Sequence, residues 1–192
     1  MKNIILISAA ALSLSACGVN SVPTAEEEAK AAWANVENDY QRRADLVPNL
    51  VNTVKGFAAQ EQDVLTEVTA ARASATQTRI DADDLDDPAA MQRYSEAQDQ
   101  LSGALSRLLV SVERYPDLRS QENFLMLQSQ LEGLENRIAI SRRDYNDAVR
   151  MYNTEIRTFP SLIAARFIYG AEPMQPYEAT TEGAEEAPTV EF

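Results

Sequence analysis

The chain has 192 residues, a length that suits one domain with short extensions, and a formal charge of −13. That charge excludes the basic face a nucleic-acid binder needs to displace counterions from phosphates. There is no histidine, which removes the commonest general base and transition-metal ligand and the Glu-x-x-His pairs of a di-iron bundle.

The first element is MKNIILISAAALSLSACGVN. Ile4 to Leu14 is an uncharged run behind Lys2, too short for the roughly 20 apolar residues of a membrane span. A charged start, a short apolar core and small residues before a cut site form a secretory signal. Leu14-Ser15-Ala16-Cys17 resembles the lipobox of bacterial lipoproteins. The resemblance implies that residues 1–16 are a removed signal peptide and that Cys17, the sole cysteine, is diacylated on sulfur and acylated on its new amino terminus. The alternative is a plain cleaved signal with an incidental cysteine. Gly18 in place of Asp favours the outer over the inner membrane among sorted lipoproteins. Three acyl chains hold a protein far better than one.

Residues 17–24 read as a tether. Thr24 followed by Glu26, Glu27 and Glu28 predicts a helix start, a hydroxyl cap with acids at the positive dipole end. Trp33, Val36, Tyr40, Ala44 and Val47 fall on one helical face. Pro48 predicts a tight turn, with a kinked through-helix as the alternative. A second helix is expected over 48–74, with Leu50, Val54, Phe57, Glu61, Leu65 and Val68 on its seam. Residues 75–87 lose the pattern and gather five aspartates, which predicts a mobile, solvated loop. A calcium hand is the competing reading, but the glycine and terminal glutamate are missing.

A third helix starts at Pro88, where proline is welcome. Met91, Tyr94, Gln98, Leu101, Leu105, Leu108, Val112 and Tyr115 alternate in steps of three and four, the repeat of left-handed bundle packing. Tyr115-Pro116 ends it, and Asp117 is expected to cap a fourth and longest helix through Phe124, Leu131, Ile138, Tyr145, Tyr152 and Ile156. Phe159-Pro160 stops that helix, and a short one over 161–168 follows. Residues 171–192, rich in Pro, Glu, Thr and Ala, predict an acidic disordered tail. The fold expected is all-α: an antiparallel four-helix bundle of long helices over 25–170.

Three stretches then carry a family likeness: QRRADLVPNLVNTVKGFAAQE (41–61), TEVTAARA (66–73) and NRIAISRRDYNDAVRMYNTEIRTFPSLIAA (136–165). Together they resemble the LemA family. The resemblance implies a compact helical bundle held at a bacterial envelope, and brings no enzymatic activity. Members are discussed beside membrane metalloproteases, and one relative belongs to the magnetosome membrane system; both point to scaffolding. Typical members carry an uncleaved N-terminal transmembrane helix, whereas this chain carries the lipobox.

Polar residues carry paired readings. Arg42, Arg43, Asp45 and Asn49 around Pro48 form either a partner-docking surface or turn and cap chemistry. Glu61, Gln98 and Arg142 each stand where a seam calls for an apolar residue. A buried layer joining Glu61 to Arg142 beside Gln98 would fix helix register; a carboxylate acting on a ligand is the sharper alternative. Asn146 and Asn153, seven residues apart, either line a groove for a peptide helix or bond to a neighbouring helix end or water, with Tyr145 and Tyr152 in the core. No glycine-rich phosphate loop appears, so no cofactor and no catalysis are expected. The expected function is a lipid-anchored envelope scaffold or adaptor with a protein partner of unknown identity; the alternative is a carrier of a small apolar ligand between the helices.

Overall fold

A computed structural model describes residues 19–178 apart from Ala59. Residues 1–18, with the expected signal peptide and Cys17, and residues 179–192 lie outside it. Among the described residues every regular element is helical: α1 (Ser21–Lys55), α2 (Gln62–Gln77), α3 (Pro88–Val112), α4 (Pro116–Arg119), α5 (Glu122–Glu155), α6 (Ser161–Ala164) and a π-helical turn over Ala165–Tyr169.

Several boundaries differ from the sequence reading, each for a local reason. α1 starts before Thr24, with Pro23 in its first turn, and the Thr24 hydroxyl bonds back to the Asn20 carbonyl instead of capping forward. The expected turn at Pro48 is absent, because α1 runs through it to Lys55. Proline has no N–H, so the carbonyl four residues back loses its helical donor. That carbonyl belongs to Ala44, and Arg72 Nε of α2 donates to it at 2.7 Å. The bond repairs the ladder from outside the helix. The chain turns instead at Gly56–Glu61. The expected cap at Asp117 becomes the separate helix α4, which buries Leu118 before α5 begins. At 34 residues α5 is one residue shorter than α1.

The chain divides into two compact units. Of the described residues, the second comprises 40–80, 89–135 and 177–178. One core joins Val47, Leu50 and Val54 of α1, Leu65 and Val68 of α2, Leu101, Leu105 and Leu108 of α3, and Phe124, Leu127 and Leu131 of α5. Polar bonds fix the direction of α2 and α3: Ala75 pairs with Gln98, Glu67 with Arg107, and Glu61 with Arg114. As the number rises on one helix it falls on the other, so the two run antiparallel. Each buried leucine contributes about 1.5–3 kcal/mol.

Of the described residues, the first unit comprises 19–39, 81–88 and 136–176. Trp33 and Tyr145 meet in it with ring centroids 5.1 Å apart and planes tilted by 58°. Val22, Val36, Leu85, Ile138, Val149 and Met174 are buried with them. Two expectations change here. The aspartate loop is pinned, since Leu85 is buried and Asp83 binds Lys30 at 2.9 Å. The tail expected from 171 is ordered through its first part: Met174 and Tyr177 are buried, and the Gln175 N–H reaches the Leu85 carbonyl.

Candidate functional site

The seam of α1 puts a cation inside. Trp33, Val36, Tyr40, Arg43, Val47, Leu50 and Val54 follow in strict steps of three and four, and all are buried. Arg43 is 1 % exposed. Within the second unit its Nη1 donates to Ser102 Oγ (2.7 Å) and Glu135 Oε1 (2.9 Å). Its Nη2 donates to the Gln98 carbonyl and Gln98 Oε1, both at 3.0 Å. The guanidinium lies 4.8 Å from the centre of the Tyr40 ring, an aromatic face that favours a cation. Nε alone makes no hydrogen bond. Gln98 passes the network on by donating to the Ala75 carbonyl. Above it Tyr40, Tyr94 and Tyr177 cluster, with the Tyr40 and Tyr177 hydroxyls 2.8 Å apart.

This rearranges the polar layer expected from the sequence. Gln98 is buried as foreseen, but its charged partner is Arg43. Glu61 sits at the start of α2, where Arg114 Nη2 grips both its carboxylate oxygens (3.0 and 2.9 Å) and the Tyr115 hydroxyl donates to Oε1 at 2.8 Å. That hydrogen bond to a carboxylate holds the Tyr115 phenol above its ordinary range. Arg142 belongs to the first unit and is partly buried, with interactions of its own. The seam position beside it is taken by Ser141, whose hydroxyl returns to the carbonyls of Arg137 and Ile138. Within the second unit, Glu61 and Gln98 therefore stand in separate networks.

The four residues around Pro48 also divide. Arg43 turns inward, while Arg42, Asp45 and Asn49 are exposed. Gln41 donates to Asp45 Oδ1 one turn away. Nothing in this set forms a cap, because no helix begins or ends there.

In the first unit, α5 uses its polar groups on backbone. The Asn153 carboxamide donates to the Met174 carbonyl (2.8 Å) and accepts the Met174 N–H (2.9 Å), as a neighbouring strand would. The Tyr145 hydroxyl donates to the Gln175 carbonyl at 2.8 Å. Burial pushes that phenol well above its ordinary range. Asn146 is partly buried and has interactions of its own. An open cleft at this side is lined by Asn146, Val149, Arg150, Asn153, Arg157 and Pro176. A second cleft is lined by Glu26, Lys30, Asp83, Asp86, Tyr152 and Glu172. There Lys30 is held protonated well above its ordinary range by its bonds to Asp83 and Glu26.

At the far end of α5 the Glu155 carboxylate accepts the Ser161 hydroxyl, and Ser161 Oγ lies 3.3 Å from Ser21 Oγ. These hydroxyls hold Glu155 below the usual carboxylate range. Among the described residues no group of three or more His, Cys, Asp or Glu side chains is placed to hold a metal ion, and no helix is long and apolar enough to cross a membrane.

Residues 32–192 match the LemA family. Magnetosome protein MamQ 2 of Paramagnetospirillum magneticum is 29 % identical over 157 residues, covering 73 % of this chain and 58 % of the relative. Magnetosome protein MamQ of Magnetospirillum gryphiswaldense is 28 % identical over the same span and coverage. Protein LemA of Metamycoplasma hominis is 23 % identical over 140 residues, covering 73 % of this chain and 60 % of the relative. The chain thus spans less than two thirds of the length of these relatives. With the family match running through the helices that carry Arg43, Gln98 and Asn153, the chain belongs to the LemA family.

Proposed function

We propose that the protein is a non-catalytic lipoprotein of the bacterial cell envelope, a helical scaffold or adaptor for other envelope proteins. Cys17 carries the acyl anchor, the helices face the periplasm, and Gly18 directs the protein to the outer membrane. The buried polar groups support a structural role, because Arg43, Gln98, Tyr145 and Asn153 are spent on the protein's own backbone and side chains. The clefts of the first unit are open to solvent, which favours a scaffold over a carrier with an enclosed apolar cavity.

The observation that carries the reading is on α5. Ile140 and Met151 of the first unit stand on its solvent side, each exposed by half. Eleven residues make three turns, so both lie on one face, roughly 16 Å apart. Two apolar side chains at that spacing, with exposed Asp144 and Asp147 between them, suit a partner helix that carries both apolar and basic side chains. Relatives named as proteins of the magnetosome fit an organising role better than a catalytic one.

The test uses the full acylated chain in its own membranes, with a photo-crosslinking residue at Ile140 or Met151 and a control at exposed Glu28. Discrete adducts from the first two positions alone are expected, and Ile140→Glu with Met151→Glu should abolish them while helix content stays unchanged. Equal adducts at all three positions, or none, would sink the adaptor reading. Anchoring is checked separately: Cys17→Ser should leave an unprocessed precursor without fatty acid. Co-sedimentation with inner-membrane vesicles would overturn the outer-membrane assignment alone.

A further inference from the structure

Beyond α5 the usual polarity of a short helix is reversed. In residues 156–171, IRTFPSLIAARFIYGA, the side chains turned inward after Ile156 are small: Ser161, Ala164 and Ala165 are buried. The large apolar ones face solvent, with Phe159 and Phe167 each 80 % exposed and Ile168 63 %. Leu162, Ile163 and Tyr169 are exposed beside them. Gly170, at a φ of 59°, takes the left-handed turn that ends the segment, a conformation glycine adopts without strain. Leaving a phenylalanine or isoleucine in water forfeits about 1.5–3 kcal/mol apiece, so a cluster of five calls for a cover.

Charge and position identify that cover. The same 16 residues contain Arg157 and Arg166 and no carboxylate, in a chain whose formal charge is −13. Both arginines are exposed. The segment is tied to the start of α1 by the Ser21–Ser161 contact and by Glu155. Cys17 lies four residues before Ser21, and four residues reach about 14 Å at most, whatever their conformation. The acyl chains therefore enter the membrane beside this apolar face.

We infer that Phe159, Leu162, Ile163, Phe167 and Ile168 form a membrane-inserting face that enters the lipid leaflet holding the acyl chains of Cys17, with Arg157 and Arg166 at anionic headgroups. The inference rests on the lipid-anchor reading. Side chains on such a face reach about 5–10 Å into the headgroup and acyl boundary, and basic residues add attraction to anionic lipid. Two points of attachment, anchor and face, then fix the orientation of the first unit on the membrane, which a lipidated tether alone leaves free. Tyr169 has the amphipathic ring suited to the interface.

The experiment reconstitutes the full acylated protein into phosphatidylethanolamine–phosphatidylglycerol vesicles containing phosphatidylcholine brominated near the top of its acyl chains. Phe167→Trp and Ile163→Trp report on the face; Met126→Trp, exposed in the second unit, and buried Trp33 are the references. About half or more of the emission added at 167 and 163 should be quenched, with none lost from 126 or 33. Phe167→Asp with Ile168→Asp should abolish quenching at 163. Mass spectrometry of the same sample reports the fatty acid, which separates the two claims. Fatty acid present without quenching at 167 overturns the face and leaves the anchor standing. Quenching without fatty acid overturns the anchor and keeps the face as a membrane-binding surface. Neither signal overturns both. A concentration-dependent dimer that buries position 167 away from lipid assigns the face to a second copy and also overturns the inference.

Discussion

The two units solve the burial of polar groups in opposite ways. The second encloses a cation: Arg43, 1 % exposed, is held by side chains from α3 and α5, and its counter-charge Glu135 stays half in water. The first encloses only neutral groups in its clamp: Asn153 and Tyr145 spend their hydrogen bonds on the backbone of residues 174 and 175. An extended segment has no hydrogen bonds of its own, and burying it without partners would cost a few kcal/mol. A side-chain network ties helices to one another, whereas a side-chain-to-backbone clamp lets a strand-like stretch with no sheet pack on a helix.

The largest expected effect follows from the enclosed cation. Arg43→Ala removes the stem and the charge together and leaves Gln98 Oε1 without its donor, so it should cost about 3–5 kcal/mol in chemical denaturation. Arg43→Met keeps the volume and abolishes the desolvation penalty, and should recover most of that loss. Glu135→Gln should cost under about 1 kcal/mol, because its carboxylate is half exposed and screened. Equal losses for Met and Ala would mean that the charge itself holds the second unit together.

The clamp should be weaker and more local. Asn153→Ala deletes two hydrogen bonds and should cost about 2 kcal/mol. Hydrogen exchange distinguishes the units here: amides of residues 174 and 175 should exchange at least tenfold faster, with those near Leu101 and Leu105 shifted only by the global loss. Asn153→Asp keeps the acceptor for the Met174 N–H and loses the donor, so it should fall between wild type and Ala. Unchanged exchange at 174 would show that burial of Met174 and Tyr177, not the amide, holds the segment.

Helix periodicity made most of the core legible, and the errors have a common form. The face through Trp33, Val36, Tyr40, Ala44 and Val47 was plain and is buried, but hydrophobicity hid Arg43 beside Ala44 on the same face. The strict three-four alternation selects Arg43. Arg142 was set on a seam position that the same alternation gives to Ser141. A repeat read by spacing before polarity would have found both. Pro48 misled for another reason: a helix can run through a proline, and the donor that pairs the orphaned carbonyl here is 28 residues further on. The ordering of residues 171–177 was illegible, since its anchors are single backbone groups with no periodic signature. The apolar face of 159–169 was visible as composition; that its large side chains point outward is a property of the fold alone.

The smallest effect tests whether the contrast between the units is absolute. Arg72 gives the second unit its own side-chain-to-backbone repair, donating from Nε to the Ala44 carbonyl that Pro48 leaves free. In the native background Arg72→Met should cost about 1–1.5 kcal/mol, the value of a charged hydrogen bond at a partly exposed site. Pro48→Ala restores the helical N–H to the same carbonyl, so the group no longer depends on Arg72. In that background Arg72→Met should cost about half as much. The double-mutant cycle should then give a coupling of about 0.5–1 kcal/mol, above the scatter of roughly 0.3–0.5 kcal/mol for independent sites. Residues 48 and 72 need not touch for this to hold, because the coupling passes through one carbonyl oxygen. Additive costs would mean that Arg72 contributes through packing and that α1 tolerates Pro48 without help. A coupling above the scatter would show that the second unit repairs its backbone by the rule the first unit uses, with a cation in place of an amide.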